Sequence, residues 1–363
     1  MKLKKWLIAV PLTLALALGV AACGSDSDSG GSGSNGDAVS GEIAGAGASS
    51  QEAAMNAWIA SFGDDNPDAN ISYDPVGSGG GREQFIAGGT AFGGTDSAMD
   101  ETELADVAKR CAPGEYIEIP VYISPIAMAY NIDGVDDLNL SAETAAQIFS
   151  GKITKWNDPA IAADNPDADL PDQDIVVVHR SDESGTTENF TDYLSQNAPK
   201  DWTDEPDGVW PLKGGEAANG TSGVVSAIKS GSGTIGYADL SQVGDLNVAN
   251  VKVGNDYVAP SAEAAVKIFE ASKRIPGEGK FVFAYDLDRT AASEGLYPIS
   301  LVSYEMACTT YDSADQAKLV KAFYSYIVSE EGQQAAASAA GSAPIPDSLR
   351  QQITPAVEAI QTS

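Results

Sequence analysis

The chain has 363 residues, and its 52 Asp and Glu against 21 Lys and Arg give a formal net charge of −31. So large an acid excess argues against a general nucleic-acid binder, because phosphate backbones are neutralised by Lys and Arg. One His and three Cys are too few for most zinc or iron–sulfur sites, and we expect neither a metal nor a cofactor. Hydrophobic residues make up 43 % of the chain, and the length suggests two domains at about 150 residues each.

The N-terminal segment has the pattern of a secretory signal peptide, predicted over residues 1–22. Basic residues at the start precede an apolar run at 7–18, and small residues stand directly before Cys23. The string Gly19-Val20-Ala21-Ala22-Cys23 resembles a bacterial lipobox, which implies cleavage before Cys23 and acylation of its thiol. A plain signal peptide and an N-terminal membrane helix are the alternatives, although the apolar run is short for a spanning helix.

A lipidated Cys23 and a flexible linker are predicted over residues 23–41. Residues 24–37 contain only Gly, Ser, Asp and Asn, a composition that cannot form a core. The spacing Gly31-x-Gly33-x-x-Gly36 formally matches a dinucleotide fingerprint, but no strand precedes it and no helix follows, so we discard that interpretation. We therefore expect a body tethered to the extracytoplasmic face of the cell membrane, with a root-mean-square tether span of about 20 Å.

From residue 42 onward, short apolar runs alternate with helical patterns, which indicates an α/β fold. The predicted strands cover residues 43–47, 71–76, 92, 117–130, 175–179, 233–237 and 297–308. The predicted helices cover residues 51–62, 82–87, 142–149, 186–195, 224–229, 315–328 and 355–360. Between the second strand and the second helix, residues 77–81 are predicted as a tight glycine turn.

The two long extended runs are predicted to cross between two domains. The predicted domains are a discontinuous lobe I, 42–122 plus 303–363, and lobe II, 123–302. Cys111 and Cys308 would both lie in lobe I. In an extracellular protein two Cys suggest one disulfide, and a pair of buried free thiols is the alternative.

Three segments share one design, in which a strand is followed by small or hydroxyl residues and then by a helix. They are Ala48-Ser49-Ser50, Gly77-Ser78-Gly79-Gly80-Gly81 and Ser184-Gly185-Thr186. A helix N-terminus offers unpaired N–H groups and a partial positive charge, and glycine lets the backbone approach a ligand. Such a site suits phosphate, sulfate or a carboxylate. Each segment alone could be an ordinary N-cap, but three together favour an oxyanion pocket.

Two charged residues complete the candidate pocket. Arg180 ends the Val-rich strand four residues before Ser184, and its planar fork can bind two oxygens, while Asp182 is close enough in sequence to orient it. Asp96 can accept a hydrogen bond from a protonated phosphate, whereas sulfate at neutral pH has no proton to give. A surface salt bridge for Arg180 and a turn-capping role for Asp96 are the alternatives.

The order of these motifs resembles that of the phosphate-binding protein of bacterial ABC phosphate importers, the PstS family. The segments that carry the resemblance are Gly45-Ala46-Gly47-Ala48-Ser49, Gly77-Ser78-Gly79-Gly80, Phe92-Gly93-Gly94-Thr95-Asp96, Gly151-Lys152-Ile153-Thr154-Lys155-Trp156-Asn157-Asp158, Arg180-Ser181-Asp182-Glu183-Ser184-Gly185-Thr186 and Pro344-Ile345-Pro346. The resemblance implies a two-lobed, type II-like periplasmic-binding-protein fold with the two crossing strands as its hinge. It implies that Asp182 holds Arg180 in place. It also implies phosphate-binding roles for Ser49, Ser50, Ser78, Asp96, Arg180, Ser184, Gly185 and Thr186.

The same resemblance implies a monomeric binding protein without enzymatic activity. Its ligand would be inorganic phosphate, bound with high affinity, and its partners the membrane permease subunits of an importer with a separate ATPase. One departure is the pair Ser49-Ser50, where relatives often carry Thr-Phe. The first hydroxyl is kept, Ser50 is expected to donate through its backbone, and an apolar cover at position 50 is lost.

Three other functions are weighed against phosphate binding. A binder of another oxyanion, such as sulfate or molybdate, is disfavoured by Asp96. A surface hydrolase would need a Gly-x-Ser-x-Gly elbow, which the folded body lacks, and the single candidate base, His179, stands at a strand end where we expect a structural role. A structural surface lipoprotein would have no use for glycine-rich strand–helix junctions.

Overall fold

The computed structural model of the protein describes residues 39–277, 279–290 and 295–363. The predicted signal peptide, the predicted acylation site Cys23 and the Gly/Ser/Asp segment of the linker lie outside these residues. Within the described ranges, no helix combines the length and the apolar composition that a membrane crossing requires.

Helices cover much of the described chain. They are α1 (Glu52–Asp65), α2 (Ser78–Ile86), α3 (Glu101–Cys111), α4 (Ala142–Phe149), α5 (Pro159–Asp164), α6 (Gly185–Asn197), α7 (Gly220–Ser230), α8 (Ala262–Ala271), α9 (Ala314–Ile327), α10 (Glu330–Ala340) and α11 (Asp347–Glu358). One short 3₁₀ helix covers Leu240–Gln242.

The strands alternate with these helices through most of the chain. They are β1 (Gly41–Gly47), β2 (Ala69–Asp74), β3 (Phe92–Thr95), β4 (Tyr116–Asn131), β5 (Asn139–Leu140), β6 (Val176–Arg180), β7 (Glu216–Ala218), β8 (Thr234–Asp239), β9 (Asn247–Val248), β10 (Asn250–Val253), β11 (Asp256–Val258), β12 (Lys273–Arg274), β13 (Phe281–Val282), β14 (Tyr285–Asp286), β15 (Ser300–Cys308), β16 (Thr310–Tyr311) and β17 (Gln361–Thr362).

One large sheet runs through the molecule in the strand order β2-β1-β3-β15-β4-β8-β6-β7, and β13 and β9 also pair with β4. The long strand β4 changes partners along its length, because residues 116–125 pair with β15 and residues 126–131 pair with β8. The first lobe is built on β1, β2, β3, β15 and the first part of β4. The second lobe is built on the last part of β4 and on β6, β7 and β8. The long extended strand predicted at 117–130 is therefore confirmed, and it joins two α/β lobes.

The second long extended run is shorter than the predicted 297–308. β15 begins at Ser300, opposite Pro125, at the point where β4 changes partners. Pro298 stands just before the strand and has no N–H to offer a ladder, and its carbonyl accepts a hydrogen bond from the buried Arg289. The predicted lobe boundaries, between residues 122 and 123 and between residues 302 and 303, stay a prediction.

Aromatic side chains fill the cores of both lobes. In the first lobe, the ring of Phe92 meets those of Phe323 and Tyr324 edge to face. In the second lobe, Phe190 lies with its ring centroid 4.6 Å from that of Tyr237, in a stacked arrangement. Phe190 and Tyr237 lie next to the β6–α6 loop, so their packing supports the segment that carries the candidate arginine.

Residues 77–81 do not form the predicted tight turn. α2 begins at Ser78, so the three glycines that follow are helical, and Gly77, with a φ of +97°, redirects the chain before them. Close packing accounts for glycine at two of these positions, because a Cβ on Gly79 would lie 2.3 Å from Glu183 Cδ and one on Gly81 would lie 2.3 Å from Gly47 Cα. Tertiary contact overrides the low helix propensity of glycine here.

Helix α3 is not among the predicted helices, although the signal for its start is present in the sequence. Asp100 accepts a hydrogen bond from the Glu103 N–H at 2.7 Å, and the Glu103 carboxylate accepts one from the Asp100 N–H at 3.0 Å. This reciprocal pair is a capping box, with the readable spacing Asp-x-x-Glu. Helices α5, α8 and α10 are also missed, and α11 begins at Asp347, ahead of the predicted start at residue 355.

Cys111 and Cys308 are joined by a disulfide, and their Cα atoms are 5.2 Å apart. The bridge links the last residue of α3 to the last residue of β15, across a sequence separation of 197 residues. A cross-link over such a separation removes conformational freedom mainly from the unfolded chain.

Replacing both cysteines by alanine is expected to lower the free energy of unfolding by about 2–5 kcal/mol. Urea titrations of the double variant and of the oxidised wild type would measure the difference. The reduced wild type provides the matched control, since it lacks the bridge and keeps both side chains. Equal unfolding midpoints for all three samples would contradict the expected stabilisation.

Candidate anion-binding site

Two segments of the first lobe bring hydroxyl groups to Asp96 of a third segment, at the carboxyl ends of β1 and β3. Ser50 follows β1, and its Oγ lies 2.7 Å from each carboxylate oxygen of Asp96, which follows β3. Ser78 opens α2, and its Oγ accepts a hydrogen bond from the Asp96 N–H at 3.1 Å. These residues and Ser49 are buried, so the structure brings together the four first-lobe residues that the sequence predicts.

The second lobe supplies the opposite wall, from the loop between β6 and α6. Arg180 is the last residue of β6, and Ser184 is the N-cap of α6. The Ser184 Oγ accepts from the Thr187 N–H at 3.2 Å, which uses a lone pair of the hydroxyl and not its proton. The Thr186 hydroxyl donates to Asp96 Oδ2 at 3.3 Å, so the two walls meet at this carboxylate.

The two walls approach each other closely at Gly185. A Cβ on this residue would lie 2.6 Å from Asp96 Cβ and 2.7 Å from Ser78 Oγ, both in the first lobe. Gly185 and Thr186 stand in the first turn of α6, where backbone N–H groups have no acceptor within the helix. The positive end of the α6 dipole therefore lies beside Asp96.

Asp182 holds the guanidinium of Arg180 in place. Arg180 Nε donates to Asp182 Oδ1 at 2.8 Å, and Nη2 donates to the other carboxylate oxygen, while the Gly220 N–H donates to Oδ1 at 3.1 Å. Burial alone would raise the pKa of Asp182, but these hydrogen bonds and the charge of Arg180 outweigh burial and lower it. The arginine is thus a fixed positive charge, buried at the end of its strand.

The pKa of Asp96 is raised above its ordinary value. Burial is the main cause, and hydrogen bonds from Ser303 and Ser50 and the charge of Arg180 oppose it. A buried carboxylate favours partners that donate to it, because an unpaired acceptor away from water is costly. The arrangement suits a ligand that presents several acceptor oxygens to the surrounding donors and one proton to Asp96.

Ser50 has a contact that the sequence analysis does not assign. Its side-chain hydroxyl donates to the Asp96 carboxylate, and the residue is fully buried. A phenylalanine at this position could not make that hydrogen bond. Serine in place of phenylalanine at position 50 therefore removes an apolar cover and adds a hydroxyl donor that holds the Asp96 carboxylate in place.

Three further residues join the lobes at the site and are missed by the sequence analysis. The Thr221 N–H donates to Ser49 Oγ at 3.0 Å, and Gln242 Nε2 donates to the Ser49 carbonyl at 2.6 Å. Asn189 Nδ2 donates to the Asp96 carbonyl at 2.8 Å. Thr221 could have been found, because the string before it repeats the strand, small residue and helix design of the other three junctions.

His179 is engaged on both ring nitrogens. Nδ1 lies 2.9 Å from the Arg180 carbonyl oxygen and Nε2 lies 3.1 Å from that of Gly214, and the ring stacks on Trp210. Neither nitrogen is in a position to act as a general base, so the geometry supports the expected structural role. Among the described residues, no group of three or more His, Cys, Asp or Glu could hold a metal ion.

Comparisons with known proteins agree with this architecture. A family model described as a PBP superfamily domain matches residues 32–331. The chain is 36 % identical over 322 residues to the phosphate-binding protein PstS 3 of Mycobacterium leprae, with 86 % of this chain and 85 % of the relative covered. It is 35 % identical over 319 residues to the phosphate-binding protein PstS 3 of Mycobacterium tuberculosis strain H37Rv, with the same shares covered.

A solved structure shares the fold. It is a high-affinity periplasmic phosphate-binding protein (PfluDING) bound with phosphate, and it superimposes with a TM-score of 0.70 at 24 % identity, over 86 % of this chain and 92 % of that chain. The predicted fold class, a two-lobed α/β periplasmic-binding-protein fold, is confirmed.

Proposed function

The chain belongs to the PstS family of phosphate-binding proteins within the PBP superfamily, and we propose that it binds inorganic phosphate between its two lobes. The observation that carries the proposal is the meeting of hydroxyl donors and two helix N-termini from opposite lobes around one buried acceptor, Asp96. A tetrahedral anion that still holds a proton satisfies such a set, because the donors exceed the acceptors.

Each predicted site residue has a distinct part in the proposed complex. Arg180 supplies the one full positive charge, and Asp182 keeps its fork fixed. Asp96 accepts the proton of the phosphate. Hydroxyl or backbone N–H groups donate to the remaining oxygens, and these come from Ser49, Ser50, Ser78, Ser184, Gly185 and Thr186.

The strong negative charge of the chain does not oppose this function. At physiological salt the Debye length is about 8 Å, so repulsion of phosphate by distant carboxylates is largely screened. Binding then depends on the aimed dipoles and the single guanidinium inside the cleft, where water is excluded. A site of this kind selects by hydrogen-bond pattern, and its net charge stays close to neutral.

The protein would act as the receptor of an ABC phosphate importer. We infer that acylation of Cys23 anchors it at the outer face of the cell membrane and that the Gly/Ser/Asp linker after Cys23 lets the body move there; the folded body takes over earlier than the predicted residue 42, because Val39 is buried in the core and Gly41 begins β1. Loaded with phosphate, it would dock as a monomer on the membrane permease, and a separate ATPase would drive transport. No chemical step on the phosphate belongs to this chain in the proposal.

Replacing Asp96 by asparagine is expected to narrow the preference for phosphate over sulfate by at least about tenfold. The amide removes the charge that rejects a fully deprotonated anion and offers an N–H in its place. Calorimetric titration of both anions at neutral pH would measure it, on protein refolded from denaturant to strip bound anion.

The exposed Asp100, changed to asparagine, is the matched control, because asparagine also caps a helix and should leave α3 and both affinities unchanged. A wild type that binds sulfate better, or neither anion, would overturn phosphate binding itself. An unchanged ratio in the Asp96 variant would overturn only the role given to this carboxylate.

A further inference from the structure

Arg82 is a buried cation outside the predicted phosphate shell. It lies on α2, one turn after Ser78, and its side chain is only 8 % exposed. Its Nε pairs with Glu103 of α3 at 2.8 Å, and its Nη1 donates to the Thr95 hydroxyl at 3.2 Å. Both partners belong to the first lobe, so the guanidinium is held in position by its own lobe.

The third contact of Arg82 reaches the other lobe. Its Nη2 pairs at 2.8 Å with Glu183, which stands between the arginine-holding Asp182 and the N-cap Ser184. One guanidinium, carried by α2, therefore contacts α3, the end of β3 next to Asp96 and the β6–α6 loop.

Glu183 packs closely against α2 at Gly79. The Gly79 N–H lies 3.4 Å from the Glu183 carbonyl oxygen, and the glutamate side chain covers the helix where a Cβ on Gly79 would collide with it. The approach of Glu183 therefore explains Gly79, a residue that costs helix stability. The contact is thus part of the packing between the lobes.

We propose that Arg82 and Glu183 form a latch between the lobes that adds to phosphate affinity by stabilising the closed cleft. The inference rests on the proposed function, because it assigns the latch to the phosphate-bound form. Arg82 and Glu183 are positioning residues here, since neither is placed among the phosphate ligands.

The position of the latch makes its effect specific to closure. When the lobes separate, Arg82 keeps Glu103 and Thr95, and Glu183 gains water, so no buried charge is left without a partner. The Arg82–Glu183 contact exists only when the lobes meet, so its free energy favours the closed form alone. Glu183 is half exposed, at 49 % of its side chain, so a moderate contribution is expected.

The test compares two variants that each remove one carboxylate from the same guanidinium. Glu183→Gln removes the partner across the cleft, and Glu103→Gln removes the partner on the same lobe while glutamine can still complete the capping box of α3. We expect Glu183→Gln to bind phosphate about three- to tenfold more weakly and to release labelled phosphate correspondingly faster. Glu103→Gln should bind within about twofold of the wild type, because its contact is present in both open and closed forms.

The control also accounts for charge, since each variant removes one negative charge near an anion site. Thermal melting without phosphate should be unchanged in Glu183→Gln, which a merely structural role of this pair would alter. Equal phosphate affinities and release rates for the two variants would overturn the latch while wild-type binding stands. Failure of the wild type to bind phosphate would instead overturn the proposed function.

Discussion

Replacing Arg180 by alanine is expected to weaken phosphate binding by roughly a thousandfold, or about 4 kcal/mol. The change removes the only full positive charge assigned to the pocket. It also leaves Asp182 as a partly buried carboxylate with no cation beside an anion site, which adds repulsion to the lost attraction. Calorimetric titration would give the affinity, and circular dichroism would confirm that the variant folds.

Two companion variants separate these contributions. Arg180→Lys keeps the charge and loses the two-pronged geometry, so its affinity should fall between those of the wild type and the alanine variant. Adding Asp182→Asn to Arg180→Ala should recover part of the loss, because the unpaired carboxylate is gone. Arg350→Ala removes an arginine paired only within α11 and should change nothing. A folded Arg180→Ala protein that binds within tenfold of the wild type would contradict the assigned role.

Replacing Gly185 by alanine is expected to weaken phosphate binding by about ten- to a hundredfold without destabilising the protein. The added methyl would meet Asp96 and Ser78 at less than van der Waals distance, but only when the lobes are closed. Within α6 itself, alanine is the better helix former by up to about 1 kcal/mol. Stability and affinity should therefore move in opposite directions, as melting and titration on the same sample would show.

Gly223→Ala is the matched control for this prediction. It also places alanine in a helix of the second lobe, α7, but its Cβ would meet Ala218 at an ordinary distance of 3.7 Å. Helix stability should rise in the same way, and phosphate affinity should stay at the wild-type value. If Gly185→Ala binds as tightly as Gly223→Ala, the narrow approach of the lobes at Gly185 is not a property of the bound form.

Local signals account for the parts of the fold that the sequence predicts well. The run that became β4 is mostly apolar because both of its faces are buried, and α4 has its predicted bounds after the capping Ser141. The strand–helix junctions can also be recognised in the sequence, because their hydroxyl and glycine residues interrupt the apolar pattern of the strand and the helix on either side. The candidate site could therefore be assembled largely from motifs.

The features that were not predicted depend on contacts between distant segments. The glycines of α2 suggest a turn when taken alone, but two of them are needed for contacts with distant segments, Gly79 with Glu183 and Gly81 with Gly47. The start of α10 is similar, because Gly332 lies in the first turn of the helix and accepts a hydrogen bond from the indole of the buried Trp58. No pattern within either segment reports such a partner, so these helices become visible only in the folded chain.

The central position of β15 has a consequence for the order in which the protein is made. This strand lies between β3 and β4, so those two early strands cannot complete their pairing until the chain has been synthesised to residue 308. Both present open edges while the intervening residues emerge, and open edges are prone to pair with other chains. Completion of this sheet is therefore a late event in synthesis, and Cys308, the last residue of β15, becomes available to Cys111 only at that stage.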